Sequence, residues 1–167
     1  MSATSLLRPG ALDGCTVVAG GAYAAACAQA GATVVSAVGA GRVDTLVVDA
    51  AAPFGEGGVE GLRAALDGAW SGVLAVAERH WLVDGAGGGG KLVLVAPSAD
   101  AGEHAVAAAA GLESLARTLA VEWARFGVRA VAIAPGSRTT EDELSALVAF
   151  LASAGGEYFS GCRFDLR

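Results

Sequence analysis

Few side chains in this sequence have the type and spacing that chemistry at a protein site requires. The three cysteines, Cys15, Cys27 and Cys162, show neither metal-ligand nor redox spacing, so we expect reduced thiols and no metal site. A lone histidine, His104, stands at the start of a helical segment, where a capping or surface role is commoner than acid–base catalysis. Gly20-Gly21 breaks an apolar run between a strand-like and a helix-like segment.

The elements that must position these residues are short apolar strands alternating with helices. We predict strands over 15–19, 32–36, 44–49, 91–96, 128–134 and 160–166. We predict helices over 22–30, 59–83, 105–126 and 141–153; Gly127 ends the third, and a capping box of Thr140 and Glu143 begins the last. Continuously apolar strands alternating with helices indicate a doubly wound α/β fold with a mostly parallel sheet, and the length fits one domain over 1–167.

Composition and charge exclude several classes of function. The formal net charge is -6 and no basic residues cluster, which argues against a nucleic-acid partner. Residues 14–41 carry no charge and are long enough to cross a membrane, but glycines divide them into strand-sized runs, so we expect no membrane span. The first residues lack a signal-peptide pattern, and we expect a cytoplasmic protein.

The second half of the chain resembles the short-chain dehydrogenase/reductases, in particular their ketoacyl reductase-like branch. The run GLESLARTLAVEWARFGVRAVAIAPG at 111–136 has the family's Leu-Ala-x-Glu-Trp/Leu-Ala pattern followed by a strand and Pro135-Gly136. The tail YFSGCRFDLR is similar to the family's terminal Tyr-x-x-Gly strand. The resemblance implies a Rossmann-like fold, NAD(P)-dependent oxidoreductase activity, and subunits that pair through the two long helices matching 59–83 and 105–126.

The catalytic residues that this resemblance implies are missing. An ungapped count back from Leu119 puts Ala105 at the family's Tyr position and Ala109 at its Lys position. In the family the Tyr phenol is the general acid and the Lys lowers its pKa, and alanine can do neither because it has no titratable group. Only Ser98, a remnant of the family's catalytic Ser, and His104, next to the lost Tyr, remain as weak candidates.

The cofactor half is reduced as well. By the same resemblance, remnants of the cofactor site are Gly20, Gly21, Pro135, Gly136 and Thr140. The later glycines of the family's loop are absent, and Tyr23 would project where a phosphate should approach. Only residues 37–43 separate the second and third strands, where the family has a helix, a strand and another helix. A parallel crossover usually needs a dozen or more residues, so 32–36 could pair antiparallel or leave the sheet.

These observations favour a pseudoenzyme subunit. We expect a non-catalytic chain with no cofactor, which binds a catalytically intact short-chain dehydrogenase/reductase through helices 59–83 and 105–126, or forms a homodimer through them. Two alternatives stay open: a weak oxidoreductase that uses NAD or NADP with an unrecognised acid, and a stand-alone binding or scaffold module.

Overall fold

Six parallel strands form one sheet in the computed structural model, which describes residues 7–36, 39, 41–83 and 89–166. The strands are β1 (Thr16–Val18), β2 (Thr33–Val35), β3 (Thr45–Asp49), β4 (Lys91–Val95), β5 (Arg129–Pro135) and β6 (Cys162–Leu166). The α-helices are α1 (Gly21–Gln29), α2 (Ala51–Phe54), α3 (Gly58–Val76), α4 (Ala105–Glu122) and α5 (Glu141–Ala152). The strand order β2-β1-β3-β4-β5-β6 and its parallel pairs confirm the predicted doubly wound α/β class.

Helices cover both faces of the sheet, and each face has its own core. The central strand β4 supplies both, because Leu92 and Leu94 pack with α3 and α4, whereas Val93 and Val95 pack with α1 and α5. All four side chains are buried. Burial on both faces explains why the strand sequences are continuously apolar instead of alternating. Each such Leu or Val contributes about 1.5–3 kcal/mol by leaving water.

The short connection between β2 and β3 does not displace β2 from the sheet. Strand β2 pairs in parallel with β1, with Thr33 beside Thr16, so an antiparallel or detached segment is excluded. The connection re-enters the fold at Val43, which is buried and whose carbonyl accepts a hydrogen bond from Trp81 Nε1 at 2.8 Å. The next residue, Asp44, accepts the backbone N–H of Thr16 through Oδ2 at 2.8 Å. Two long-range hydrogen bonds thus fix the end of this connection against β1 and Trp81; residues 37, 38 and 40 lie outside the described residues.

The two long helices end earlier than their apolar patterns predict. The α-helical part of α3 ends at Val76 and is followed by a π-helical turn over Ala77–Trp81. Helix α4 ends at Glu122 and is followed by a 3₁₀ turn over Ala124–Phe126. Gly127 has φ 75°, which confirms the predicted glycine at the helix end. Gly90 tolerates no side chain, because a Cβ there would overlap the indole ring of Trp81. Of the glycine-rich run 85–90, the structure describes only the last two residues.

Two short-range features complete the fold. The capping box is present, since Thr140 Oγ1 accepts the N–H of Glu143 at 3.2 Å and the Thr140 N–H donates to Glu143 Oε2 at 2.9 Å. Helix α2 was not predicted; its four residues include Pro53 and show no helical period. In the described ranges, no helix is both long and apolar enough to span a bilayer.

Candidate functional site

The carboxyl edge of the sheet brings together the residues that the sequence singles out. Gly20 follows β1, Ser98 follows β4 and Gly136 follows β5. Because all the strands are parallel, these ends meet at one edge, where ligands bind in doubly wound folds. Helix α4 begins at the same edge with Ala105, directly after His104.

The two alanines at the family's acid–base positions lie in the first turns of α4. Ala105 is 1% exposed and packs in the core between α4 and the sheet. Ala109 is half-buried one turn later, beside a cleft of about 90 Å³ that is also lined by Pro97, Val106 and Pro135. Arg163 and Asp165 line the same cleft and form an ion pair at 2.7 Å, and Arg163 also pairs with Glu113 at 2.8 Å. The walls are mainly apolar, and the cleft is far smaller than the pockets of several hundred Å³ that hold small-molecule ligands.

The two weak catalytic candidates are engaged in local contacts. The hydroxyl of Ser98 donates to the carboxylate of Asp100 in the loop after β4. His104 occupies the position before α4 with φ 69°, a left-handed conformation that is uncommon outside glycine, and its Nε2 lies 3.5 Å from Glu103 Oε1. His104 holds the N-cap position and is partly exposed, as expected for a capping or surface residue, although its side chain makes no capping hydrogen bond. Within the described ranges no hydrogen bond or ion pair joins Ser98 to His104.

The glycine loop leads into α1 with backbone N–H groups free of side-chain caps. Gly20 is extended, Gly21 begins the helix, and the first turn contains no acidic residue. Tyr23 in that turn is half-buried and packs against the α1/α5 core. Burial raises the pKa of the Tyr23 phenol, and the negative charges of Asp49 and Glu141 raise it further. The uncapped N–H groups at the start of α1 could still face a phosphate, whereas the carboxylates of Asp49 and Glu141 would oppose an anion brought close to Tyr23.

The remaining cofactor remnants are occupied by structural hydrogen bonds. The hydroxyl of Thr140 serves the capping box of α5. The N–H of Gly136 donates to Thr139 Oγ1 at 2.9 Å, and that hydroxyl donates to the carbonyl of Leu166 at 3.1 Å. Sequence reasoning missed Thr139, although a Ser or Thr hydroxyl that bonds nearby backbone is a known feature of turns. The turn after β5 is thus tied to β6 by side chains of this chain alone.

The environment of Tyr23 predicts a pH effect on stability. A phenol whose pKa is raised in the folded state stabilises the fold below its unfolded pKa, and that contribution is lost as pH rises through the folded value. We expect the free energy of unfolding to decline above about pH 10, where the unfolded chain releases the proton. In Tyr23→Phe the decline should be shallower. Urea denaturation at several alkaline pH values measures this, with the exposed Tyr158→Phe as control; parallel profiles for wild type and Tyr23→Phe would contradict the assignment.

Comparison with known proteins finds similar folds for nearly the whole chain and similar sequence for only part of it. No family model matches the chain. The probable 2,4-dienoyl-CoA reductase of Bacillus subtilis is 38% identical over 35% of this chain and 34% of its own, so the chain spans about a third of that curated relative.

Solved structures match nearly the whole chain. A citronellol catabolism dehydrogenase of Pseudomonas aeruginosa has 23% identity and a TM-score of 0.73, with 96% of each chain covered. A gluconate 5-dehydrogenase of Burkholderia cenocepacia, in complex with NADP and tartrate, has 19% identity and a TM-score of 0.69 over 93% of this chain and 94% of that one. A short chain dehydrogenase of Mycobacterium smegmatis has 21% identity and a TM-score of 0.63 over 96% and 95%. The chain therefore has the fold of these dehydrogenases, and about a third of its sequence is similar to part of a reductase.

Proposed function

We propose that this chain is a non-catalytic subunit that binds and stabilises, or regulates, a catalytically intact short-chain dehydrogenase/reductase. The observation that carries the proposal is the pair of alanines, Ala105 and Ala109, at the acid and lysine positions of an otherwise retained fold. Methyl groups can neither donate a proton to a carbonyl oxygen nor hold a ribose. General acid–base groups supply about 10²–10⁴-fold in rate, so their loss removes most of the chemistry.

The surface that would bind the partner is formed by α3 and α4, and we call it the helix-pair face. Its exposed apolar side chains are Val59 and Trp70 on α3, and Val106 and Val121 on α4. Trp70 is 43% exposed and Val121 is 78% exposed. Exposed apolar side chains that lie together are typical of a surface that a partner subunit covers. The resemblance assigns subunit pairing to the same two helices. An intact reductase is the occupant we favour, and a second copy of this chain is the alternative.

Loss of cofactor binding is the second part of the proposal. We expect NADH and NADPH to bind with a Kd no tighter than about 1 mM, equivalent to roughly 4 kcal/mol. The reasons are Tyr23 beside Asp49 and Glu141 at the loop, and the short β2–β3 connection on the side where the family builds its adenine pocket. Titration of the reduced cofactor followed by its fluorescence measures the Kd, with an intact reductase as positive control. Saturable binding below about 0.1 mM would contradict this part of the proposal.

Co-expression with an intact reductase encoded beside this chain tests the partner. We expect the tagged chain to retain the untagged reductase through purification, and the reductase to be more resistant to thermal unfolding in the complex. Failure of both results with every adjacent reductase would contradict the subunit role.

A residual oxidoreductase is the second candidate. It is favoured by the similarity of the fold to dehydrogenases and by Ser98 and His104, which lie at the carboxyl edge of the sheet. Turnover by the isolated chain separates it from the subunit proposal.

A further inference from the structure

A second cavity opens at the opposite, amino edge of the sheet. Its volume is about 200 Å³, and it lies below the starts of β3, β4 and β5, near the end of α5. It contains none of the residues at the carboxyl edge that the dehydrogenase resemblance involves. Any ligand held here is therefore independent of the function proposed above.

Three polar side chains form a row across this cavity. Thr45, Lys91 and Arg129 are partners in register on the adjacent strands β3, β4 and β5. Residues in register on parallel strands project from the same face of the sheet, and neighbouring strands lie about 4.8 Å apart. A hydroxyl, an ammonium group and a guanidinium group are thus aligned along one wall, and all three residues line the cavity.

The hydroxyl in this row lacks a hydrogen-bond partner. Thr45 is 0% exposed, and its Oγ1 is a buried polar atom with no partner among the described residues. A buried hydroxyl left without a hydrogen bond destabilises the fold, because it has lost its hydrogen bonds to water. A ligand in the cavity that accepted or donated a hydrogen bond at Thr45 Oγ1 would remove this destabilisation.

The charges around the cavity favour an anion. Lys91 Nζ donates to the carbonyls of Ala152 at 3.1 Å and Ser153 at 2.5 Å, which neutralises the negative end of α5 and leaves its third N–H. Glu157 Oε1 lies 3.7 Å from the same ammonium. Burial lowers the pKa of Lys91, so its ammonium gains from a further negative group.

The other charged side chains at the cavity divide unevenly. Asp44 is already paired, because its carboxylate accepts Arg42 Nε at 2.5 Å and the N–H of Thr16 at 2.8 Å. Arg129 Nε donates to the carbonyl of Glu157 at 2.7 Å, but no carboxylate of the described residues lies within 4.0 Å of its guanidinium. Arg129 is therefore the cation at this cavity whose positive charge can pair with an anionic ligand.

We propose that this cavity binds a small oxyanion, the phosphate or carboxylate group of a small molecule, between the Thr45 hydroxyl, the Lys91 ammonium and the Arg129 guanidinium. Guanidinium and ammonium groups make the strong, charge-assisted hydrogen bonds that such oxygens accept. At about 200 Å³ the cavity has room for the oxyanion together with an organic group of a few heavy atoms.

Titration of the full isotope-labelled chain with inorganic phosphate, and separately with malonate, tests the proposal. At constant ionic strength we expect saturable shifts of the Gly90, Lys91 and Arg129 amide resonances. Thr45→Val, which keeps the side-chain shape, and Arg129→Gln should each weaken binding by at least about 10-fold, because each loses a hydrogen bond to a charged group. Arg63→Gln, an exposed position on α3, is the matched control and should leave the affinity unchanged.

The outcomes separate the ligand chemistry from a structural role. Saturation by phosphate or by malonate supports the proposal and identifies the anionic group. Saturation by neither would overturn it, as would equal affinities in wild type, Thr45→Val and Arg129→Gln. Thr45→Val should fold at least as stably as wild type without ligand, because it removes the unpartnered hydroxyl, so loss of binding in that variant cannot be ascribed to unfolding.

Discussion

The isolated chain is expected to interconvert carbonyl and alcohol substrates with NADH or NADPH at a rate at least about 1,000-fold below that of an intact reductase. Ala105 and Ala109 provide no proton donor and no cation, and the negative charges of Asp49 and Glu141 near Tyr23 would disfavour a pyrophosphate close to that side chain. Each loss lowers the rate separately, the first through the chemical step and the second through cofactor occupancy. Absorbance at the reduced-nicotinamide band, with a panel of acyl thioesters, steroids and sugar acids, measures the rate.

Two variants decide whether any residual rate belongs to this chain. Ser98→Ala and His104→Ala remove the hydroxyl and the imidazole that remain at the carboxyl edge. Ser114 is an exposed serine within helix α4, and Ser114→Ala is the matched control. A wild-type rate that falls in either variant but not in Ser114→Ala would establish the residual oxidoreductase and refute the non-catalytic assignment.

The second large effect is expected at the helix-pair face. Trp70→Ala and Val121→Asp should each weaken association with the partner subunit by at least about 30-fold, equivalent to roughly 2 kcal/mol. Trp70→Ala would remove an aromatic side chain from the interface, and Val121→Asp would place a charge where apolar area is buried. Binding of the variants to the immobilised partner reductase measures the effect.

An exposed aromatic residue away from the two helices supplies the control. Tyr158 is 89% exposed in the turn before β6, and Tyr158→Ala should leave association unchanged. Equal weakening by all three substitutions would indicate a general loss of stability, and no weakening by any would show that the partner does not bind through α3 and α4.

The fold is readable from sequence where the signal is local or periodic. The apolar runs of β4 and β5 and the Thr140–Glu143 capping box were predicted and are present, because each depends on neighbouring residues. The placement of β2 was left open because its evidence is non-local. The hydrogen bonds from Thr16 to Asp44 and from Trp81 to Val43 join residues 28 and 38 positions apart, and no pattern in the sequence marks them.

The candidate sites divide in the same way. The expectation that Ala105 and Ala109 stand at the family's Tyr and Lys positions comes from counting along one helix. The environment of Tyr23 is not, since Asp49 and Glu141 reach it from β3 and α5. The row of Thr45, Lys91 and Arg129 has no spacing that a motif could describe, because register between three strands creates it.

Sedimentation of the chain, alone and co-expressed with an intact short-chain dehydrogenase/reductase, tests the central claim most directly. At about 10 μM we expect a mixed oligomer that contains both chains, with an interface of roughly 1,600 Å² or more, and no stable monomer of this chain by itself. A soluble monomer at that concentration whose sedimentation is unchanged by the reductase would contradict the account and leave a stand-alone binding module as the better description.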